Sequence, residues 1–153
     1  MDILKNLNER LSIVEGEACF GGEDYVNKVL NMSPIKLPTD YIEFLKNISG
    51  GNDTGVSFIV DNEESEINIW NAEIAIQKHD EFYEPDPDNF FDKIWLVGDD
   101  LGDLIYFYGE GKDGFGLYRD EVSTMCFQDA EKIADSLTDF LVKGIGIDIA
   151  ISL

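Results

Sequence analysis

The stretch from Leu37 to Gly51, LPTDYIEFLKNISGG, constrains the fold more than any other part of the chain. Its apolar residues Tyr41, Phe44, Leu45 and Ile48 fall at i, i+3, i+4 and i+7, the spacing that lines one face of an amphipathic helix. Pro38 stands where a first helical turn tolerates a missing N–H, Asp40 suits the positive helix start, and Gly50-Gly51 supplies the backbone freedom that ends the helix. A helix bounded in this way must press its apolar face onto something, and the rest of the chain supplies a sheet.

Upstream, Ile3, Leu4, Leu7 and Leu11 share a helical stripe and predict a short opening helix within Met1 to Ile13. Val14 to Gly22 reads as a loop with a short extended piece at most. A helix is expected over about Glu23 to Met32, with Tyr25, Val26, Val29 and Leu30 inward, broken by Ser33-Pro34. After Gly50-Gly51-Asn52-Asp53 the period changes to two. Val56, Phe58 and Val60 alternate with Ser57 and Ile59, and Ile67 and Ile69 with Asn68 and Trp70, which predicts a hairpin turning around Asp61 to Ser65. Asn71 is placed to cap a short helix reaching His79.

Ile94 to Val97, Leu104 to Tyr108 and Phe115 to Arg119 read as strands of an antiparallel meander, joined by turn-rich segments at Gly98 to Asp103 and Gly109 to Gly114. Val122 to Phe127 either extends the sheet or leads into a last helix. That helix is expected over Asp129 to Lys143, with Ala130, Ile133, Ala134, Leu137, Phe140 and Leu141 inward and Gly144 as its stop. In the tail Ile145, Ile147, Ile149 and Ile151 alternate with Gly146, Asp148, Ala150 and Ser152, so residues 145–153 read as a strand at a sheet edge. The expectation is a single domain over residues 1–153 of class α+β, with an antiparallel or mixed sheet of about five to six strands and helices packed against it.

Charge narrows the partners. The chain carries 32 Asp and Glu against 11 Lys and Arg, a net charge of −21, which disfavours nucleic acid and anionic membrane and favours a basic protein. The same charge also serves plain solubility. Cys19 and Cys126 form no CxxC pair and read as small buried hydrophobes; no leader pattern opens the chain, and no run approaches the ~18 apolar residues of a membrane helix. The expected compartment is the cytoplasm, and the expected state a monomer or weak homodimer.

Taken together, IKLPTDYIEFLKNISGG, INIW, IWLVGDDLGDLIYFYGEGKDGFGLYRDE and IADSLTDFL, in that order, resemble the SUKH superfamily, the group of the SMI1/KNR4-type domains, over about Glu23 to Lys143. Trp70, Gly98-Asp99, Asp103 and Ala134-Asp135-Ser136-Leu137 sit where the family pattern has similar residues. The long acidic stretch Asp80 to Asp92 and the tail after Gly144 depart from it. The resemblance implies an α+β binding domain without a known catalytic centre or cofactor. Many bacterial members are immunity proteins that neutralise a cognate polymorphic toxin, often a nuclease or deaminase, by occluding its active cleft; fungal members are regulatory scaffolds. An acidic protein suits the basic cleft of such a toxin, and the scaffold role stands as the alternative.

Two stretches are candidates for partner binding. DEFYEPDPDNFFD, Asp80 to Asp92, has six carboxylates and no basic residue and reads as a loop. There Asp80, Glu81, Glu84, Asp86 and Asp88 would steer a basic partner, and Phe82 and Tyr83 would anchor it or tuck back onto the core. Asp99, Asp100 and Asp103 sit on a hairpin tip, where turn chemistry also explains Asp. Asp86-Pro87-Asp88-Asn89 opens like a calcium loop, but Phe90 and Phe91 occupy positions that need a ligand and a glycine, so no metal site is expected. His79, the only histidine, lies on a polar stretch and reads as solvated, and no nucleophile motif accompanies it.

Overall fold

The structure is a computed structural model that describes residues 3–14, 18–51, 53–61, 65–83, 90–121 and 130–150. Its sheet has seven strands in sequence order, each antiparallel to the next: β1 (Leu11–Ile13), β2 (Gly55–Val60), β3 (Glu66–Trp70), β4 (Ile94–Asp99), β5 (Leu104–Gly111), β6 (Gly114–Glu121) and β7 (Glu131–Ala134). The helices are α1 (Glu23–Met32), α2 (Thr39–Ile48), α3 (Ala72–Phe82), α4 (Leu137–Leu141) and α5 (Ile147–Ala150). The class is α+β with an antiparallel sheet, as expected. The strands added to the expected count, β1 and β7, are the two at the sheet edges.

The α2 stretch organises the packing. Tyr41, Ile42, Phe44, Leu45 and Ile48 are all buried, and Phe44 meets Phe58 of β2 at a ring distance of 6.3 Å. The Tyr41 ring packs edge-on against Tyr108 of β5 at 5.6 Å, while its hydroxyl accepts a hydrogen bond from Trp95 Nε1 of β4 at 3.0 Å. One helix thus touches β2, β4 and β5. Asp40 reaches further: its Oδ2 accepts from the backbone N–H of Thr138 at 3.0 Å and from the Thr138 hydroxyl at 2.7 Å. The Tyr108 hydroxyl accepts from Leu137 N at 2.8 Å, and Ser136 Oγ accepts from Asp139 N at 3.1 Å. The first three N–H groups of α4 are therefore satisfied by three different side chains, which is what a helix start in a core requires.

Close backbone contact explains the glycines around α2. A Cβ on Gly50 would lie 2.0 Å from the Phe20 carbonyl oxygen, and one on Gly22, at φ +71°, 2.1 Å from that of Ser49. The segment before α1 therefore crosses the end of α2 at van der Waals distance, fixed by bonds from Gly21 N to Lys46 O and from Gly50 N to Cys19 O. The half-buried Cys19 donates its thiol to the Gly50 carbonyl. Cys126 and Val122 to Phe127 lie outside the described residues.

Three expectations are corrected. The opening helix is a 3-10 turn at Ile3–Lys5 followed by β1, because Asn8 interrupts the stripe: it accepts from Arg10 N at 3.1 Å, and its own N–H bonds Leu141 O at 2.8 Å. The helix expected over Asp129 to Lys143 is β7 followed by the short α4. Glu131 to Ala134 pairs with β6, Arg119 and Glu131 are joined at 3.0 Å, and Ser136 with Asp139 forms the helix start that splits the segment. The tail is helical at α5, because β7 already occupies the edge and because α5 has partners elsewhere. Arg10 pairs with Asp148 at 2.9 Å and Arg119 Nη1 donates to Ala150 O at 3.1 Å. The expected stop at Gly144 is present, at φ +78°.

The bond between Asp40 and Thr138 is testable. Asp40→Asn should destabilise the protein by about 2 kcal/mol, the scale of losing a charged helix cap with its hydroxyl bond. A double-mutant cycle with Thr138→Val, read by urea unfolding, should give a coupling of about 1 kcal/mol. Additive effects would show that the two helices do not depend on this contact.

Candidate interaction surface

Helix α3 starts from two caps. Asn71 Oδ1 accepts from Ile74 N at 2.8 Å, and Ser49 Oγ accepts from Ala72 N at 2.9 Å, so the end of α2 also fixes the start of α3. Its buried positions are Ala72, Ala75 and His79. The expectation of a solvated His79 is wrong: the residue is 7% exposed, and its ring stacks on Trp95 of β4 at 4.8 Å. Burial pushes its pKa below the usual 6.5, against the pull of Asp80 and Asp92.

Asp80, Glu81 and Phe82 belong to the last turn of α3 rather than to a loop, which corrects the expected start of the acidic connection. The helix continues because the inward period Ala72, Ala75, His79 keeps docking on the sheet. Asp80 and Glu81 are exposed, whereas Phe82 is half-buried against the core. Tyr83 is 39% exposed; its ring lies 6.0 Å from those of His79 and Phe91, and its hydroxyl bonds Asp92 at 3.2 Å. Both carboxylates thus stand at the negative end of a helix, where they oppose the helix dipole. Lys78 relieves part of this, pairing with Glu81 at 3.7 Å and lying over the rings of Trp70 and Phe82 at 5.9 and 5.8 Å. Glu84, Asp86 and Asp88 lie outside the described residues.

The second candidate cluster lies at the other end of β4. Asp99 is the last residue of β4, whose first residue, Ile94, follows the turn Phe90–Asp92; five steps of strand at ~3.3 Å each put roughly 17 Å between the two ends. Asp99 accepts from Asn68 Nδ2 and from Leu101 N, both at 3.2 Å, and Asp100 accepts from Gly102 N at 2.8 Å and Leu104 N at 3.2 Å. These two acids build the turn. Asp103 is exposed. Burial pushes the Asp99 carboxyl above the usual range, with the Asn68 and Leu101 bonds pulling the other way and the charge of Lys78 reaching it from α3.

Two apolar groups at opposite ends of β5 escaped the sequence reading. Leu101, at the tip of the β4–β5 turn, is 59% exposed and holds a left-handed backbone at φ 65°, a conformation that costs a leucine energy. Phe115 is 40% exposed, stands opposite Glu110 in the β5–β6 register and stacks on Tyr108 at 6.0 Å. It floors an open depression of about 720 Å³ together with Pro34, Ile35, Lys36, Asp92, Lys93 and Glu110. Asp92 therefore joins the end of α3 to this depression. The signal for both was a large apolar residue in or beside a turn, which periodicity does not weigh. Among the described residues no cluster of three His, Cys, Asp or Glu is arranged to hold a metal, and no helix is long and apolar enough to cross a membrane.

The model of the SMI1 / KNR4 family (SUKH-1) matches residues 22–143, from the glycine before α1 to the lysine after α4. No curated protein matches the chain.

The Asp99 shift carries a prediction. A carboxyl whose folded pKa is raised binds more protons folded than unfolded, so its contribution to stability is present at low pH and lost as pH rises through the folded value. Asp99→Asn keeps an acceptor without the charge. Urea unfolding between pH 4 and 7 should show the variant gaining on the natural protein as pH rises; a gap that is constant or closes with pH would contradict the burial of this carboxylate.

Proposed function

The chain belongs to the SMI1/KNR4 family (SUKH-1), and from that membership we propose that it is an immunity protein, one that binds the toxic domain of a cognate effector and covers its active cleft. The observation that carries this reading is a charge of −21 borne on this family's fold. A nuclease or deaminase cleft must hold a polyanion and is basic, so an acidic protein is attracted to it and competes for the groups the substrate would use. The fitting contacts are Asp80 and Glu81 at the end of α3 for steering, with Tyr83, Phe115 and Leu101 as apolar anchors; Asp103 adds charge beside the last. Carboxylates at the C-terminus of α3 weaken their own helix, which favours a use outside it. The role needs no cofactor and no catalytic step.

Co-expression with the toxic domain should restore growth of a cell that the domain alone kills, and absence of rescue would favour a scaffold for a cellular partner. Asp80→Lys with Glu81→Lys should slow association with that domain by about tenfold or more at low salt, with the difference shrinking at ~0.5 M. Unchanged association kinetics would take the end of α3 out of the contact.

A further inference from the structure

His79 is the buried group of α3 that partner binding does not use. Its ring stacks on Trp95 at 4.8 Å with 25° between the planes, and its Nδ1 is buried without a hydrogen-bond partner among the described residues. Among the described residues the charged groups acting on it are Asp80, from its own helix, and Asp92, from the turn before β4, and Asp92 already accepts from the Tyr83 hydroxyl at 3.2 Å. From β4 it meets the neutral indole of Trp95, and from the chain after α3 the Tyr83 ring at 6.0 Å. Among the described residues of α1, which also packs on α3, no charged group acts on the ring.

A neutral imidazole packs on an indole as an apolar disc. A protonated one carries two N–H donors and a charge, and among the described residues Nδ1 faces no acceptor. The face of Trp95 attracts a cation but accepts no conventional hydrogen bond in the ring plane. A charged ring in this position would hold a buried N–H without an acceptor among the described residues, which favours its departure together with the last turn of α3.

We propose that His79 is a proton-operated latch: neutral, it holds the turn carrying Asp80, Glu81 and Tyr83 against Trp95, and protonation in mildly acidic solution releases that turn while the sheet stays folded. The sign agrees with the burial of the ring. Its docked form resists the proton, so below about pH 6.5 the released form binds protons that the docked form does not, and docking weakens as pH falls. The latch operates whatever partner meets α3, and it makes any contact through that turn weaker in acid.

Because His79 is the only histidine, its ring signal in a proton NMR titration is unambiguous. The ring should titrate with a midpoint below 6.5. Hydrogen-exchange protection of the α3 amides from Lys78 to Phe82, corrected for the intrinsic rate, should fall at least about tenfold from pH 7 to pH 5, while the β5–β6 amides hold theirs. In His79→Phe the α3 protection should be flat over this range; if that variant does not fold, His79→Gln, polar but not titrating, gives the same comparison. A midpoint at or above 6.5, an α3 protection independent of pH, or the same loss of protection in the non-titrating variant would overturn the latch.

Discussion

The contact on which the architecture depends is the Asp40 carboxylate at the start of α2 bonded to the start of α4, 98 residues away. A short helix in a core leaves its first N–H groups without partners, and α4 has only five residues over which to recover that cost. It forms because Asp40, Tyr108 and Ser136 each take one of these donors. Tyr41, the next residue, bonds Trp95 and packs on Tyr108. Adjacent side chains of one helical turn therefore join the sheet to the last third of the chain. Burial raises the pKa of both tyrosines, so the phenols stay neutral hydrogen-bonding groups at any physiological pH.

The edges of the sheet are secured by a second economy. The chain has only two arginines, and both tie segments distant in sequence to one another. Arg10, beside β1, grips Asp61 through two bonds at 2.9 and 2.8 Å and reaches Asp148 of α5, which packs on β7. Arg119 of β6, itself buried, holds Glu131 of β7 and the Ala150 carbonyl. These planar forks bridge the terminal segments, which lie outside the span that matches the family.

Much of this was legible in the sequence. The extent of α1, the stripe of α2, the β2–β3 hairpin and the β4–β6 meander follow from period and turn residues, as does the Asn71 cap, but of the inward face read for α1 only Val26 and Val29 are buried, while Tyr25 and Leu30 are exposed. Where the reading failed, two periods fitted the same residues. Ala130, Ile133, Ala134, Leu137, Phe140 and Leu141 are buried in the β7–α4 arrangement as they would be in one helix, so burial alone does not separate the two. Ser136 and Asp139 held the deciding signal, a helix start in mid-segment. His79 was misread because its neighbours in sequence, Lys78 and Asp80, are polar, while its neighbours on the helix face are Ala72 and Ala75. The acidic residues on either side of β4 and the turn chemistry of Asp99 and Asp100 were visible in the sequence, but not that Asp80 and Glu81 ride on the last turn of α3.

We propose that a chain of this charge on an SMI1/KNR4 fold meets a basic toxic domain. The measurement that tests this most directly is capture of partners from the native host with the tagged protein, at low salt and then at ~0.5 M, with mass identification of what is retained. The account predicts a large effector ending in a basic toxic domain, recovered at near-stoichiometric yield and held less well as screening rises. Recovery only of housekeeping or envelope-signalling proteins would contradict it.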